Sequence, residues 1–527
     1  MTTKKRTSGL KLALRTSVVS GMTLISRILG LVRDIVFARY FGASLIMDAF
    51  LVAQRIPNML RRFFAEGAFS AGFIPVMARY REKRDHDEAR EFVDAVAGTF
   101  GIVLFLVTLL GVIASPVLVL IVAPGFIGDG GDFDLAALML RFTFPYLLFV
   151  SLTAFAGGIL NTYGRFAVPA FTPVILNVVL IVAAIWVAPM LEQPVMALAY
   201  AILIAGILQL LFQLPFLARI RAFPRPIWAP RHEGVRRAFR LMVPAIFGSS
   251  VAQINVLLGG VIASLLPIGS ISYLYFSDRL MEFPLGLFSI ALATVTLPTL
   301  SRLWAGDEKT EFSQTLDWSM KLAVLIVVPA AAGLVVLAGP LIATLFYGGI
   351  FDERSVSMTM LALRAYAVGL IGFSFVKILA PAFFAREDTR TPVRIALVAL
   401  ALNLVLSIAS AWYLTSIDFA GPHVGLAGAT SAAAILNAAL LYRGLQKDRV
   451  LRHSAGWLLL MARVMAANVA MCAVLLQLDQ PLEWWFGVGT FDRVYWLSVS
   501  VVAGAAAYFL TLLMLGLRPS QFRLRTV

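Results

Sequence analysis

The sequence has few charged residues and almost no cysteine. Charged residues fill 14% of its 527 positions and hydrophobic residues 60%, whereas soluble globular proteins carry about 25% charge. A single soluble core stops growing at about 250–300 residues, so a chain this apolar needs a bilayer as its solvent. The lone Cys472 excludes an intrachain disulfide scaffold. The apolar runs do not alternate, which excludes a membrane β-barrel.

The sequence also lacks the motifs of common enzymes. It contains neither a Walker A pattern nor an HExxH pattern, and its four histidines stand far apart at His86, His232, His423 and His453. We therefore predict that the protein is not an enzyme and that it has no cofactor and no metal site.

Apolar runs of about 20 residues predict fourteen transmembrane helices, hence an all-α polytopic membrane protein. Their approximate limits are 16–41, 47–77, 92–122, 135–160, 167–189, 195–218, 239–265, 270–300, 315–346, 356–384, 393–415, 423–442, 456–477 and 495–517. Charges interrupt the second, eighth and tenth.

The positions of Lys and Arg test this segmentation, because these residues accumulate in cytoplasmic loops. Of the 44, thirty fall in the tails and every second loop, and the intervening loops hold only Arg354 and Arg493. This distribution places both termini in the cytoplasm. It also explains the net charge of +15 as a topological signal and a surface for anionic membrane lipid, so nucleic acid is not a predicted partner.

An internal repeat relates the first six predicted helices to the next six. A shift of about 223 residues aligns Pro75 with Pro298 and, with small gaps, Asn177 with Asn403. Six helices per copy make the repeat parallel, which in transporters gives two lobes around a central cavity. The predicted domains are an N-lobe at 1–222, a basic linker at 223–240, a C-lobe at 241–446 and two further helices at 447–527.

Arginines concentrate in the first two predicted helices. Six lie there: Arg27, Arg33, Arg39, Arg55, Arg61 and Arg62. A charge at the centre of a bilayer costs about 2.5–3.5 kcal/mol on insertion scales, so these side chains must face water, a partner or a ligand.

Intrahelical salt bridges account for part of this charge. Arg62 has Glu66 at i+4, and Arg279 in the eighth helix has Glu282 at i+3. Arg27, Arg33 and Arg61 have no acid at either spacing. We predict that these three line the cavity and bind an anion; the alternative is pairing with Asp34, Asp48 or Glu66 on neighbouring helices. Arg279 is compatible with either role.

Helix breakers accompany the arginines. They are Gly30, Gly42, Pro57, Gly67, Pro284 and Gly286. They favour loosened helices around a cavity, and ordinary flexing of membrane helices explains them equally well. Because the planar guanidinium fork pairs with carboxylate or phosphate, several converging arginines suit a polyanion such as a pyrophosphate.

The stretches SRILGLVRDIVFARYFGAS, DAFLVAQRIPNMLRRFFAEGAFSAGFIPV and SDRLMEFPLGLF resemble the MurJ (MviN) family of lipid II flippases. This family belongs to the multidrug, oligosaccharidyl-lipid and polysaccharide exporter superfamily. The resemblance runs from about residue 15 to the C-terminus.

The resemblance implies a protein that moves lipid II, the undecaprenyl-pyrophosphate-linked peptidoglycan precursor, from the inner to the outer leaflet of the bacterial cytoplasmic (inner) membrane. The family's cavity residues fall on Arg27, Arg33, Arg61 and Arg279, and its important aspartate falls on Asp48. Helices thirteen and fourteen would form a groove for the polyprenyl tail. The sugar-peptide headgroup and cell-wall synthesis proteins are further expected partners. Some relatives carry a sodium site with carboxylates in the seventh and eleventh helices; this sequence has none there.

Two other functions compete with this interpretation. A multidrug antiporter or another lipid-linked oligosaccharide flippase of the same superfamily is the alternative, although an antiporter should carry carboxylates for cation exchange and an apolar cavity. A membrane scaffold without transport activity would need no charged cavity.

Overall fold

The computed structural model describes most of the chain and is helical almost throughout. The described residues are 2–83, 86–128, 132–286 and 290–518. Within them the only β-type pairing is an isolated bridge between Gly348 and Phe351. The chain forms two compact units, Met1–Leu265 and Leu266–Val527.

The first unit has ten α-helices in its described part. They are α1 (Thr2–Phe41), α2 (Leu45–Arg61), α3 (Ala68–Lys83), α4 (His86–Ile113), α5 (Ser115–Val122), α6 (Phe133–Thr143), α7 (Tyr146–Thr162), α8 (Ala167–Val182), α9 (Met196–Arg219) and α10 (Glu233–Ser264). A π-helical turn, Arg62–Gly67, joins α2 to α3.

The second unit also has ten α-helices in the part that the structure describes. They are α11 (Ser270–Pro284), α12 (Ile290–Ala305), α13 (Lys309–Val336), α14 (Ala338–Leu345), α15 (Glu353–Phe384), α16 (Arg390–Ser416), α17 (Val424–Lys447), α18 (Trp457–Leu478), α19 (Leu482–Gly487) and α20 (Thr490–Met514).

Ten helical stretches among the described residues are long and apolar enough to cross a membrane. They are Asp87–Ile113, Phe133–Thr162, Ala167–Met190, Met196–Arg219, Lys309–Val336, Glu353–Phe384, Arg390–Ser416, Val424–Lys447, Trp457–Leu478 and Thr490–Met514. The all-α polytopic class is therefore confirmed. The other four predicted spans are also helical where described, but they do not combine that length with that apolar composition, so the count of fourteen stays a prediction.

Equivalent helices pack in the same pairs within each unit, as the predicted repeat requires. In the first unit α7 packs on α4 and α9, and α8 packs on α9; in the second, α15 packs on α13 and α17, and α16 packs on α17. Pro75 and Pro298 both lie inside helices, α3 and α12. Asn177 and Asn403 are both buried, in α8 and α16.

Helix α10 belongs to the first compact unit, where it packs on α3, α4 and α5. The contact with α3 is close: a Cβ on Gly72 would lie 2.4 Å from Met242 Cγ and 2.6 Å from the Ala238 carbonyl oxygen. Only glycine fits at this position, so Gly72 sets the spacing of the two helices. The sequence repeat assigns α10 to the second copy, and its packing partners lie in the first unit.

A proline interrupts the hydrogen bonding of α2, and a neighbouring helix compensates for it. Pro57 has no N–H, so it cannot donate to the carbonyl of Ala53 four residues earlier. The Thr143 hydroxyl, at the end of α6, donates to that carbonyl at 3.1 Å. Pro57 and Thr143 are both buried. In an apolar surrounding an unsatisfied carbonyl is costly, so this contact lets α2 keep its proline.

The last helices form a hairpin, α18 and α20, that packs on α13 and α14. Near the start of α18, the Asp317 carboxylate of α13 accepts from Trp457 Nε1 at 2.6 Å and lies 3.2 Å from Lys321 Nζ and 3.3 Å from His453 Nδ1. At the start of α20, Arg493 donates to the Val488 carbonyl at 2.8 Å. Polar contacts therefore hold the hairpin near both of its ends.

We predict that the contribution of the Thr143 hydroxyl to the stability of the protein depends on the presence of Pro57. Thr143→Val should lower the free energy of unfolding by about 1 kcal/mol, because it leaves the Ala53 carbonyl without a donor. In the Pro57→Ala background residue 57 regains its N–H and can donate to the Ala53 carbonyl. Thr143→Val should therefore lower the free energy of unfolding by less in this background. Unfolding of the purified single and double variants in detergent measures this coupling. Thr143→Ser, which keeps the hydroxyl, is the control; equal costs in both backgrounds would contradict the prediction.

Candidate functional site

The turn between α1 and α2 brings together the two helices that carry most of the arginines. Gly42 ends α1 in a left-handed conformation with φ 66°, which favours glycine. The Ser44 hydroxyl caps α2 by accepting from the Met47 N–H at 3.4 Å and donates to the Phe41 carbonyl at 2.7 Å. The Phe37 and Phe50 rings meet edge to face at 5.7 Å. This turn therefore holds α1 and α2 in contact.

Arg33 is buried in α1 and forms an ion pair with its neighbour Asp34. Arg33 Nε and Nη2 both donate to Asp34 Oδ1, at 3.0 and 2.7 Å. The i+3 and i+4 spacings do not detect this pair, because the long arginine side chain turns back onto the adjacent residue. Arg33 thus has an acid partner on its own helix, and its role in lining a cavity and binding an anion stays a prediction. Removing one member of a buried pair costs about 3–5 kcal/mol, so each residue holds the other in place.

Asn177 of α8 completes the group around Arg33. Its Oδ1 accepts from Arg33 Nη1 at 3.1 Å, and its Nδ2 donates to the Ser26 carbonyl, also at 3.1 Å. Asn177 is 5% exposed; its bond to Arg33 is buried, and its bond to the Ser26 carbonyl is partly buried. One amide thus orients the Arg33 guanidinium and braces the backbone of α1 next to Arg27. We call Arg33, Asp34 and Asn177 the α1–α8 polar cluster.

The other predicted residues of the first unit differ in exposure. Arg27 is exposed on α1, and Arg61 is half-buried in the last turn of α2. Asp48 is buried in the first turn of α2, where its backbone N–H donates to the Ser44 carbonyl at 2.9 Å. A carboxylate at this end of a helix is stabilised by the helix dipole.

Two supporting predictions concern α1 and the turn after α2. Gly30 lies in the uninterrupted α1, and a Cβ there would meet only Asn177 Nδ2, at 3.9 Å, so α1 is not broken at this glycine. Arg62 begins the π-helical turn. The side chain of Glu66 lies outside the described part of the structure, so the Arg62–Glu66 pair stays a prediction. The surroundings of Gly67 are also outside the described part, so its effect on the helix stays a prediction as well.

In the second unit Arg279 forms the salt bridge predicted from its spacing. Its Nη1 lies 3.0 Å from Glu282 Oε2, and the guanidinium lies 5.1 Å from the centre of the Tyr275 ring. The two charged side chains are 40% and 48% exposed. An exposed pair contributes about 0–1 kcal/mol, so this bridge can open at little cost for a stronger anionic ligand.

Sequence reasoning missed two features of this site. Asn177 appeared only as a landmark of the repeat, because nothing in its spacing from Arg33 predicts contact. Arg55 lies against α10, where a Cβ on Gly260 would be 1.3 Å from Arg55 Nη1. Glycine at 260 therefore leaves space for the Arg55 guanidinium. In the sequence, the only sign of this contact was a glycine within an apolar helix.

The chemistry of these side chains is that of anion binding. Guanidinium groups donate paired hydrogen bonds to phosphate and keep their charge in an apolar surrounding. Among the described residues, no group of three or more His, Cys, Asp or Glu side chains could hold a metal ion.

Comparison with known proteins assigns a family. Residues 37–497 match the family described as lipid II flippase MurJ. The chain is 45% identical to the probable lipid II flippase MurJ of Haemophilus influenzae over 510 residues, which covers 94% of this chain and 98% of that one. It is 43% identical to the corresponding protein of Vibrio cholerae, with 97% of each chain covered.

Solved structures show the same fold. A lipid II flippase MurJ in an inward closed conformation matches with a TM-score of 0.77 and 25% identity, covering 94% of this chain and 97% of that one. An inward-facing multidrug resistance transporter of the MATE family matches with a TM-score of 0.66 and 16% identity, covering 82% and 98%. The second likeness concerns the fold alone.

We predict that Asn177 is more important for stability than its repeat equivalent Asn403. Asn177→Leu removes a hydrogen bond to a buried cation, a class of bond that contributes about 1.5–3 kcal/mol. Asn403 accepts from the Ser407 and Thr430 hydroxyls at 3.4 Å each, so Asn403→Leu should cost about 0.5–1.5 kcal/mol. Unfolding of the two purified variants compares these costs. A cost for Asn403→Leu that equals or exceeds that for Asn177→Leu would contradict the role given to the α1–α8 polar cluster.

Proposed function

We propose that this chain, which belongs to the MurJ family, is a lipid II flippase of the bacterial inner membrane. It moves lipid II from the inner to the outer leaflet by alternating access and so supplies cell-wall synthesis. The observation that carries this proposal is the similarity to MurJ proteins over nearly the full length of both chains. The ten apolar helices agree with a multi-pass membrane protein.

We assign the recognition of the pyrophosphate to four arginines. They are Arg27, Arg33, Arg61 and Arg279. The α1–α8 polar cluster supports this assignment, because it holds one guanidinium in a fixed orientation without a long side chain having to be ordered on binding. Asp48, buried at the start of α2, belongs to the same set as a carboxylate that balances this positive charge.

The orientation and the last two helices complete the proposal. Both termini lie in the cytoplasm, because basic residues occupy the tails and every second loop. The α18 and α20 hairpin carries the polyprenyl tail in a groove. Its largely apolar and exposed surface, which includes Leu458, Val469, Phe491 and Met514, suits contact with hydrocarbon.

We predict that replacing Arg27, Arg33, Arg61 or Arg279 by Ala abolishes flipping. Each change removes charge-assisted contacts to phosphate of about 1.5–3 kcal/mol. Lys should restore only part of the activity, because it provides a point charge without the planar fork. Cells depleted of the native protein and supplied with each variant test this: growth is scored, and lipid II is located by leaflet.

The control for this experiment is Arg165→Ala, an exposed arginine in the connection between α7 and α8. It should support normal growth. Full complementation by the four site variants, at the protein level of the wild type, would count against the arginine assignment. Normal outer-leaflet lipid II in depleted cells would count against the flippase function itself.

We predict that the membrane potential drives transport. A pyrophosphate headgroup carries roughly two negative charges, and an inside-negative potential favours their outward movement by about 2.3 kcal/mol per charge per 100 mV. Return of the emptied, arginine-rich site toward the cytoplasm also moves positive charge with the field. Collapse of the potential at constant pH and sodium gradients should stop lipid II from reaching the outer leaflet. Undiminished flipping under these conditions would exclude this energy source.

A further inference from the structure

The connection between α9 and α10 crosses α4 and is held there by hydrogen bonds, which its backbone N–H groups donate to residues of α4. The Asp94 carboxylate accepts from the Arg225 N–H at 2.6 Å, and the Asp94 carbonyl accepts from the Ile227 N–H at 3.0 Å. The Thr99 hydroxyl oxygen accepts from the Ala229 N–H at 3.2 Å. Asp94 and Thr99 are both buried. We call residues 221–231 the strap.

A glycine makes this crossing possible. A Cβ on Gly98 would lie 2.2 Å from the Ile227 carbonyl oxygen, so a larger residue would push the strap away from α4. Three prolines, Pro224, Pro226 and Pro230, further restrict the strap backbone. The strap is therefore an ordered segment whose backbone is held in one conformation against α4.

The strap, α4 and α10 border a cavity of about 450 Å³ that is largely open on one side. Its lining residues are Thr99, Val103, Trp228, Pro230, Val235, Arg236, Phe239, Arg240 and Val243. The two charged members are both arginines, four residues apart on one face of α10. None of the nine is acidic.

Along α10, the charged residues of the lining are followed by an apolar one in the direction of the predicted seventh span. Arg236 and Arg240 lie nearer the strap, and Val243 lies one turn further into the helix, at the start of the predicted seventh span. The strap itself exposes Phe223, Ile227 and Trp228. Exposed aromatic residues beside arginines are typical of the boundary between headgroups and hydrocarbon.

We propose that this cavity binds one anionic glycerophospholipid, with its phosphate between Arg236 and Arg240 and an acyl chain along Val103, Phe239 and Val243. The charge of the lining favours an anionic headgroup over a zwitterionic one, whose ammonium would meet two arginines and no carboxylate. The apolar wall and the exposed Trp228 favour a lipid over free phosphate, because free phosphate would contact neither of them. The bound lipid braces α10 against α4, and the lining of the cavity includes none of the four arginines proposed for the substrate.

The test compares two pairs of arginines in the purified full-length protein. Arg236→Gln with Arg240→Gln removes the cavity charges. Arg231→Gln with Arg237→Gln removes the same charge from neighbouring exposed positions that do not line the cavity. Native mass spectrometry after exchange into phosphatidylglycerol or phosphatidylcholine measures the lipid retained.

We expect one tightly retained phosphatidylglycerol on the wild type and on the control pair. Retention should fall about fivefold for each cavity arginine removed. Equal losses in the two pairs would show diffuse surface attraction and overturn the site. Equal retention of phosphatidylcholine and phosphatidylglycerol by the wild type would also overturn it.

A second measurement distinguishes the source of the phosphate. Thermal stabilisation of the wild type should require phosphatidylglycerol and should not occur with inorganic phosphate. Stabilisation by phosphate alone, or displacement of phosphatidylglycerol by lipid II in an Arg236- and Arg240-dependent manner, would assign the cavity to another ligand and overturn the proposal. The variant Gly98→Val, which displaces the strap, should lose the lipid while keeping all arginines.

Discussion

Compensation of buried charge within the protein is the constraint on which the first unit depends. Arg33 is buried in α1, so its guanidinium must find its hydrogen-bond partners within the protein. Its charge is balanced by Asp34 and its orientation is set by Asn177. Because Asn177 belongs to α8, this single amide also fixes how α1 and α8 pack. The residue that we propose for anion binding is thereby part of the structural core.

The same constraint applies to the backbone. Pro57 leaves the Ala53 carbonyl without its helical donor, and the Thr143 hydroxyl of α6 supplies one. In the hairpin, Arg493 donates to backbone carbonyls, and its guanidinium lies 4.7 Å from the centre of the Tyr347 ring. At Pro57 and at Arg493, a neighbouring helix or turn thus provides the partner that the local helix does not.

The two sites that we propose, for anion recognition and for membrane lipid, use the same residue type in different surroundings. Arg33 is buried and paired, which gives it a fixed orientation, whereas Arg236 and Arg240 are exposed beside an apolar wall. A buried, pre-oriented guanidinium loses little freedom when it binds, so it can discriminate between ligands. An exposed one contributes mainly through charge, which suits an abundant lipid rather than a rare substrate.

The sequence by itself determined that the chain is a helical membrane protein, because apolar runs of sufficient length can cross a bilayer only as helices. It also determined the repeat, the excess of arginine in α1 and α2, and the Arg279–Glu282 pair, since all of these depend on order or short spacing along one chain. The resemblance to the MurJ family, confirmed by comparison, likewise rests on local motifs.

Only the tertiary structure decided which residues complete the site. The contact between Arg33 and Asn177 joins positions 144 residues apart, and no periodicity predicts it. The place of α10 in the first unit, against Gly72 of α3 and Arg55 of α2, depends on how closely two backbones approach. Even the adjacent Arg33–Asp34 pair needed the structure, because burial, not spacing, made the arginine turn back toward its neighbour.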